Sequence, residues 1–256
     1  MLSRWRGLPF VLALLFSLNP ALACDPSQFI VAVDIGPTTQ SPGATSARGR
    51  PEWPFNQALA QQVIDALHVA GFSASVLINA NGRISSLGAR LRQAEKAQAD
   101  LFLSIHHDSV QPRYLKRWTV EGVSRRYSDR FQGYSLFVSG QNPHFAASRR
   151  FAVLTGQALT ARGMSPSLHH AEAIPGENRP LLDPKLGIYR YDNLYVVHHA
   201  PMPALLLEAG LIVNRDEELQ LKHPAYQQKI AAGLVAAVTA FCQETNQTAP
   251  TSPQSQ

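Results

Sequence analysis

The chain has 256 residues, 45% of them hydrophobic and 16% charged, with 18 prolines and 16 glycines. That is the composition of a folded globular protein, and it excludes disorder throughout. The formal net charge of +5 suits an anionic polymer but is far too small and diffuse for a nucleic-acid reader.

Residues 1–23 read as a secretory signal peptide. Arg4 and Arg6 form a basic start, Leu8 to Leu18 is mostly apolar, and Ala21-Leu22-Ala23 fits the small-x-small cleavage rule. The mature chain then starts at Cys24, and no later apolar run reaches the roughly 18 residues of a spanning helix. The expected location is periplasmic or otherwise secreted, with no stable membrane insertion. Cys24 and Cys242 are the only cysteines. They bracket the folded region, and in an oxidising compartment a disulfide between them is expected ahead of free thiols or lipidation. The domain is assigned to residues 24–242. Residues 243–256 (QETNQTAPTSPQSQ) have no apolar periodicity and are expected to be a disordered polar tail.

FIVAVD is an apolar run ending in Asp34, LFLSIHHD a second that delivers His106, and PALLLEAG a third that delivers Glu208. Between the first two, Leu59, Val63, Leu67 and Ala70 recur at helical spacing over residues 56–70, and Gly71 stands where that helix would stop. SASVLI follows as a short strand, then Leu87, Leu91 and Ala94 mark another amphipathic helix. This β-α-β-α-β order predicts a single three-layer α/β domain with a mostly parallel central sheet and helices on both faces.

Residues 110–130 show no sustained period. GYSLFVS supplies another strand, Asn142-Pro143 opens a helix with Phe151, Leu154 and Ala158 as its buried stripe, and residues 162–197 read as a surface segment forming one wall of a groove. Pro224 starts the last helix, whose apolar face is Ile230, Leu234, Ala237 and Phe241.

Asp34, His106 and Glu208 each follow a strand, the position where open α/β sheets gather ligands. One such residue often only caps a turn; three together favour a catalytic or metal pocket. Gly133-Tyr134-Ser135-Leu136 lacks the second glycine of a nucleophile elbow, and the 43–49 loop lacks the lysine of a phosphate-binding loop.

VAVDIG, SPGATSARGRPEWPFN, SLGARLRQAEKAQADLFLSIHHDS, PALLLEAGLIVNRDEE and LKHPAYQQKIAAGLVAAV, in that order, resemble the zinc-dependent N-acetylmuramoyl-L-alanine amidases of bacterial cell walls. The resemblance implies zinc as cofactor, with Glu52 and His106 as metal ligands and Glu208 as the catalytic acid-base. It further implies peptidoglycan or muropeptides as substrate, an activator protein as a partner class, and hydrolysis of the amide between N-acetylmuramate and L-alanine by metal-activated water. Relatives of this branch read Asp-Ile-Gly-His where this chain reads Asp34-Ile35-Gly36-Pro37, so the first zinc-ligand position is a proline without a donor atom. Asp34, His107, Asp108, His169 and His170 are candidates to replace it.

The alternative is a non-catalytic peptidoglycan-binding or regulatory homologue that has lost its zinc site through Pro37. A third reading is a variant that has lost a ligand from an otherwise catalytic chain. Arg48, Arg90, Arg92, Arg190 and Arg215 are candidates to grip carboxylates, Arg90 alternatively to brace the helix-strand core. Adjacent residues on a strand point to opposite faces. Each of the pairs His169-His170 and His198-His199 is therefore expected to give no more than one group to a site and otherwise to be surface histidines, with His68 and His144 structural or exposed.

Overall fold

The computed structural model describes residues 24–248; the expected signal peptide and residues 249–256 lie outside the described residues. The first apolar run forms β1 (Val31–Ile35), buried along its whole length. α1 (Trp53–Val69) begins three residues before the apolar spacing starts, because Pro54 is accommodated in the first turn, where no amide donor is needed. β2 (Val76–Ile78) and α2 (Leu87–Lys96) follow, the helix capped by the Ser86 hydroxyl accepting from the Ala89 amide. β3 (Leu101–Asp108) coincides with LFLSIHHD.

β4 (Lys116–Val120) and β5 (Val123–Tyr127) make a separate antiparallel hairpin in the region without a period. Its two-residue turn has Glu121 at φ 50° and Gly122 at φ 75°, the left-handed pair that a tight hairpin requires. β6 (Ser135–Val138) and α3 (Phe145–Thr160) come next, then β7 (Leu181–Asp183), β8 (Ile188–Arg190), α4 (Tyr195–His199), β9 (Ala204–Leu211), α5 (Glu217–Lys222) and α6 (Pro224–Thr248).

The seven-stranded sheet has the order β2-β1-β3-β9-β6-β8-β7. β1 is parallel to β2 and β3, β3 to β9, and β6 to β8, while β6 against β9 and β7 against β8 are antiparallel. The expected mostly parallel sheet is therefore present. Alternate residues divide between two cores. Val31, Val33, Leu103 and Leu207 pack with α1, α3 and α6, and Ala32, Phe102, Phe137 and Leu206 pack with α2 and α4. Burying one such Leu or Phe contributes about 1.5–3 kcal/mol.

Two expectations need correction. The 162–197 segment does not merely run over the surface, since it contributes β7, β8 and the start of α4, with Ile188 and Tyr189 buried. Strands of three residues are too short to show a period. The last helix also continues to Thr248, beyond the expected domain end at 242. Cys24 and Cys242 are disulfide-bonded across a sequence separation of 218, with Cα atoms 5.6 Å apart. Among the described residues no helix is long and apolar enough to cross a membrane.

Candidate metal and proton-transfer site

The parallel pairing of β3 and β9 sets His106 directly opposite Glu208, and antiparallel β6 sets Ser135 opposite Glu208 on the other side. Sheet register thus brings together two residues about a hundred positions apart. Asp34, the third expected residue, lies deeper and is already engaged. Ser104 Oγ donates to it at 2.8 Å and Arg90 Nη1 lies 3.4 Å away. Burial pushes its carboxyl up, opposed by Arg90 and Ser104. Arg90, almost wholly buried, also donates to the carbonyls of Ile84, Ile35 and Pro37. It braces the core and is not free to grip a substrate.

Glu52 reaches the same edge from the residue preceding α1, only 6% exposed. Its Oε1 lies 3.0 Å from His106 Nδ1 and accepts from Asn56 Nδ2 at 2.9 Å and from the His107 amide at 3.3 Å. Its Oε2 accepts from the Ala44 amide at 2.9 Å. Burial alone would raise the Glu52 pKa, but His106, Asn56 and Ala44 outweigh it and hold the carboxyl below its usual range. For His106, burial pulls the imidazole down while Glu52 and Asp34 pull it up, and the net shift is upward. Two glycines make the room. A Cβ at Gly36 would collide with the His106 ring, and one at Gly43, where φ is +77°, would collide with Glu52 Oε2. His107 is turned to the α1 side, its Nδ1 2.6 Å from Asn56 Oδ1, and burial lowers its pKa to about 4. It is not available as a replacement ligand.

Glu208 is the opposite case. Its Oε2 is shielded from solvent and has no hydrogen-bond partner among the described residues. Burial, reinforced by the negative charges of Asp108 and Glu52, raises its pKa well above the carboxylate range. Such a carboxyl favours its protonated form and is placed to exchange a proton with a neighbouring reactant.

A second polar cluster is built around Asp108, at the end of β3. His169 and His170 lie in a 3-10 turn and not on a strand, so their rings sit side by side with centroids 3.9 Å apart. His169 Nε2 is 3.2 Å and His170 Nε2 2.8 Å from Asp108 Oδ2. The expectation that only one histidine of this pair could serve a site is overturned by that local geometry. Glu177, which sequence reasoning did not single out, lies 2.9 Å from His170 Nδ1 and accepts from Gln111 at 2.8 Å. No sequence period marks it; only the folding back of its loop brings it to His170. Burial disfavours charge on His170, but Asp108 and Glu177 overcome it and lift the imidazole to about 9. Asp108 is correspondingly held low, both histidines outweighing its burial.

The remaining candidates fall elsewhere. Arg48 is paired with Glu218 at 2.8 Å, Arg190 with Asp192 at 2.7 Å, and Arg215 with Asp129. Arg92 is exposed on α2. His198 and His199 stack on each other in α4, with His198 Nδ1 2.9 Å from the Asp192 carbonyl. His68 Nε2 lies 3.0 Å from the Ser75 carbonyl, and His144 precedes α3. A cleft of about 350 Å³ opens beside His106, lined also by Pro37, Leu87, Arg90, Tyr195 and Leu206. As a metal site, Glu52 and His106 supply a mixed O and N pair at 3.0 Å, a chemistry and spacing that suit two ligands of zinc. Pro37 adds none, so the pair is one donor short of the usual three.

The family profile described as N-acetylmuramoyl-L-alanine amidase matches residues 31–240. The amidase LytC of Bacillus subtilis (strain 168) is 28% identical over 211 residues, 80% of this chain but 34% of that protein. The uncharacterised protein YqiI of the same organism is 25% identical, spanning 93% of this chain and 97% of its own length. The fold is that of the amidase Ami1 from Mycobacterium smegmatis, with a TM-score of 0.66 at 20% identity, covering 85% of this chain and 98% of that one. The chain belongs to the N-acetylmuramoyl-L-alanine amidase family, whose substrate is peptidoglycan and whose members are generally zinc-dependent.

Proposed function

We propose that this member of the amidase family is a secreted enzyme. It hydrolyses the amide between N-acetylmuramate and L-alanine, with Glu52 and His106 as metal donors and Glu208 as the proton carrier. The observation that carries this reading is the unpartnered Glu208 Oε2 one strand away from His106. A buried carboxyl oxygen left without a partner costs stability and is retained where a reaction uses it.

The chemistry that zinc supplies when held by such donors is Lewis acidity toward water and toward the scissile carbonyl. The cleft beside His106 would seat the muramyl lactyl group and stem peptide. The ionised form of Glu208 would take a proton from the attacking water as the water oxygen bonds to the carbonyl carbon. The same carboxyl would then pass that proton to the alanine nitrogen as the C–N bond breaks. One lactyl carboxylate and one free L-alanyl amine result, with water consumed and no covalent enzyme intermediate. Secretion is supported by the basic and apolar character of residues 1–23 and by the Cys24–Cys242 disulfide, a bond of oxidising compartments.

The test is digestion of purified sacculi and muropeptides, followed by mass spectrometry of new L-alanine amino termini. Release by the mature protein and its loss in Glu208→Gln are expected. Binding of the glycan without any new amino terminus, at full metal loading, would instead support the non-catalytic reading that Pro37 motivates.

A further inference from the structure

We propose that Asp108, His169 and His170 form a binding site for a divalent transition metal of the zinc type, separate from the Glu52–His106 pair. The inference does not rest on the amidase reading, since it concerns what the cluster holds and not what the enzyme cuts.

Three independent features support it. The first is the donor set, in which one ligating atom of each residue lies within 4.8 Å of the others. The separations from Asp108 Oδ2 are 3.2 Å to His169 Nε2 and 2.8 Å to His170 Nε2. Bonds of about 2.0–2.1 Å around a tetrahedral zinc set neighbouring donors roughly 3.3 Å apart, close to both separations from Asp108. Two imidazoles and one carboxylate are also the ligand mixture that such ions favour, and they leave a position open.

The second is the support behind each ring. His170 Nδ1 is held by Glu177 Oε2 at 2.9 Å, and Glu177 is itself held by Gln111. His169 Nδ1 is held by Ser167 Oγ at 2.9 Å. Both rings therefore have their Nδ1 atoms occupied and their Nε2 atoms directed at one carboxylate oxygen. This is how outer residues orient metal-binding histidines.

The third is a poorly paired atom. His169 is 2% exposed, and its Nε2, 3.2 Å from Asp108 Oδ2, pairs with that oxygen outside regular hydrogen-bond geometry. Were the cluster only an ion-pair triad of Asp108, His170 and Glu177, His170 alone would complete it. A second buried imidazole on the same oxygen would then add only a pair contact of poor hydrogen-bond geometry. A cation between the three atoms gives every one of them a partner.

The experiment uses the mature protein, stripped with a chelator, reloaded with Zn²⁺ or Co²⁺, desalted, and analysed for metal content and for the visible absorption of Co²⁺. His169→Asn and His170→Asn are each expected to lose one metal equivalent per chain and the corresponding Co²⁺ band, whereas His106→Gln keeps that equivalent and that band, any loss in it being confined to metal held with Glu52. Glu177→Gln, which leaves all three donors in place, is expected to weaken that equivalent by about 10–100-fold. Circular dichroism establishes that each variant is folded. Metal retention unchanged in folded His169→Asn, loss confined to His106→Gln, or no retention by the unaltered protein would each overturn the site. Amide hydrolysis is read on the same samples. Hydrolysis with no metal at the cluster overturns this site and leaves the amidase reading standing, while full metal retention without hydrolysis does the reverse.

Discussion

Glu52 and Glu208 are both carboxyls at the carboxyl edge of the sheet, and the protein treats them in opposite ways. Glu52 has an imidazole, a side-chain amide and two backbone N–H groups around it and stays ionised. Glu208 faces two negative neighbours with one oxygen unpartnered and tends to keep a proton. Burial is common to both, so what separates them is the company of positive and donor groups. Glu217, on α5, lies between the extremes. It accepts from the Gly133 amide at 2.9 Å and the Leu211 amide at 3.0 Å but has no cationic partner, and burial still pushes it up to about 7. Backbone N–H groups alone do not offset the desolvation of a carboxylate; an adjacent imidazole does.

The largest expected effect breaks the comparison at Glu208. Glu208→Gln should lower hydrolysis by about 10²–10⁴-fold while leaving thermal stability and metal content nearly unchanged, because no hydrogen-bonded partner is abandoned. Equal rates in the two proteins would remove Glu208 from the reaction. His106→Ala should lower both hydrolysis and the metal held with Glu52, read by the same assay and by elemental analysis.

Next is Glu52→Ala, which strands the His106 ring and the Ala44 and Asn56 donors. A loss of about 3–5 kcal/mol is expected from urea titration, the cost of removing one partner of a buried charged pair. Loss of stability no greater than that of Glu208→Gln would erase the distinction drawn between the two carboxyls. A control remote from both is Cys24→Ser with Cys242→Ser. Opening the disulfide should cost about 2–5 kcal/mol, leaving rate per folded molecule unaltered.

The smallest is a pH effect at Glu217. Its pKa is near 4.5 unfolded and about 7 folded, so the unfolded chain releases this proton first as pH rises. Its contribution to stability is complete below pH 4.5 and is lost as pH passes through 7, by at most about 3 kcal/mol. Denaturation midpoints at pH 5 and pH 8 measure it, and Glu217→Gln should flatten this part of the difference. An unchanged slope in that variant would assign the pH dependence to other groups.

Much of this site was legible in the chain before any fold was known. His106 and Glu208 stood out because an apolar run delivers each of them, and the same runs announced the parallel core of β1, β3 and β9. Glu52 emerged only through resemblance to a family. The β4–β5 hairpin had a readable signal, the Glu121-Gly122 turn between two five-residue segments, but its charged faces hide the alternation that marks a buried strand. β7 and β8 had no comparable signal, since three residues cannot establish a period.

The β1-α1-β2-α2-β3 order and the residues at strand ends follow from local pattern and side-chain chemistry, which act over a few residues, while the missing donor at Pro37 came from family resemblance and the cysteine clasp from cysteine count and compartment. The pairing of His106 with Glu208, the engagement of Arg90 by Asp34, and the meeting of Asp108 with His169, His170 and Glu177 were decided by tertiary structure. Each depends on sheet register or on a loop folding back across the strand edge. At that range the outcome is set by which polar groups burial leaves together, and no spacing along the chain encodes it.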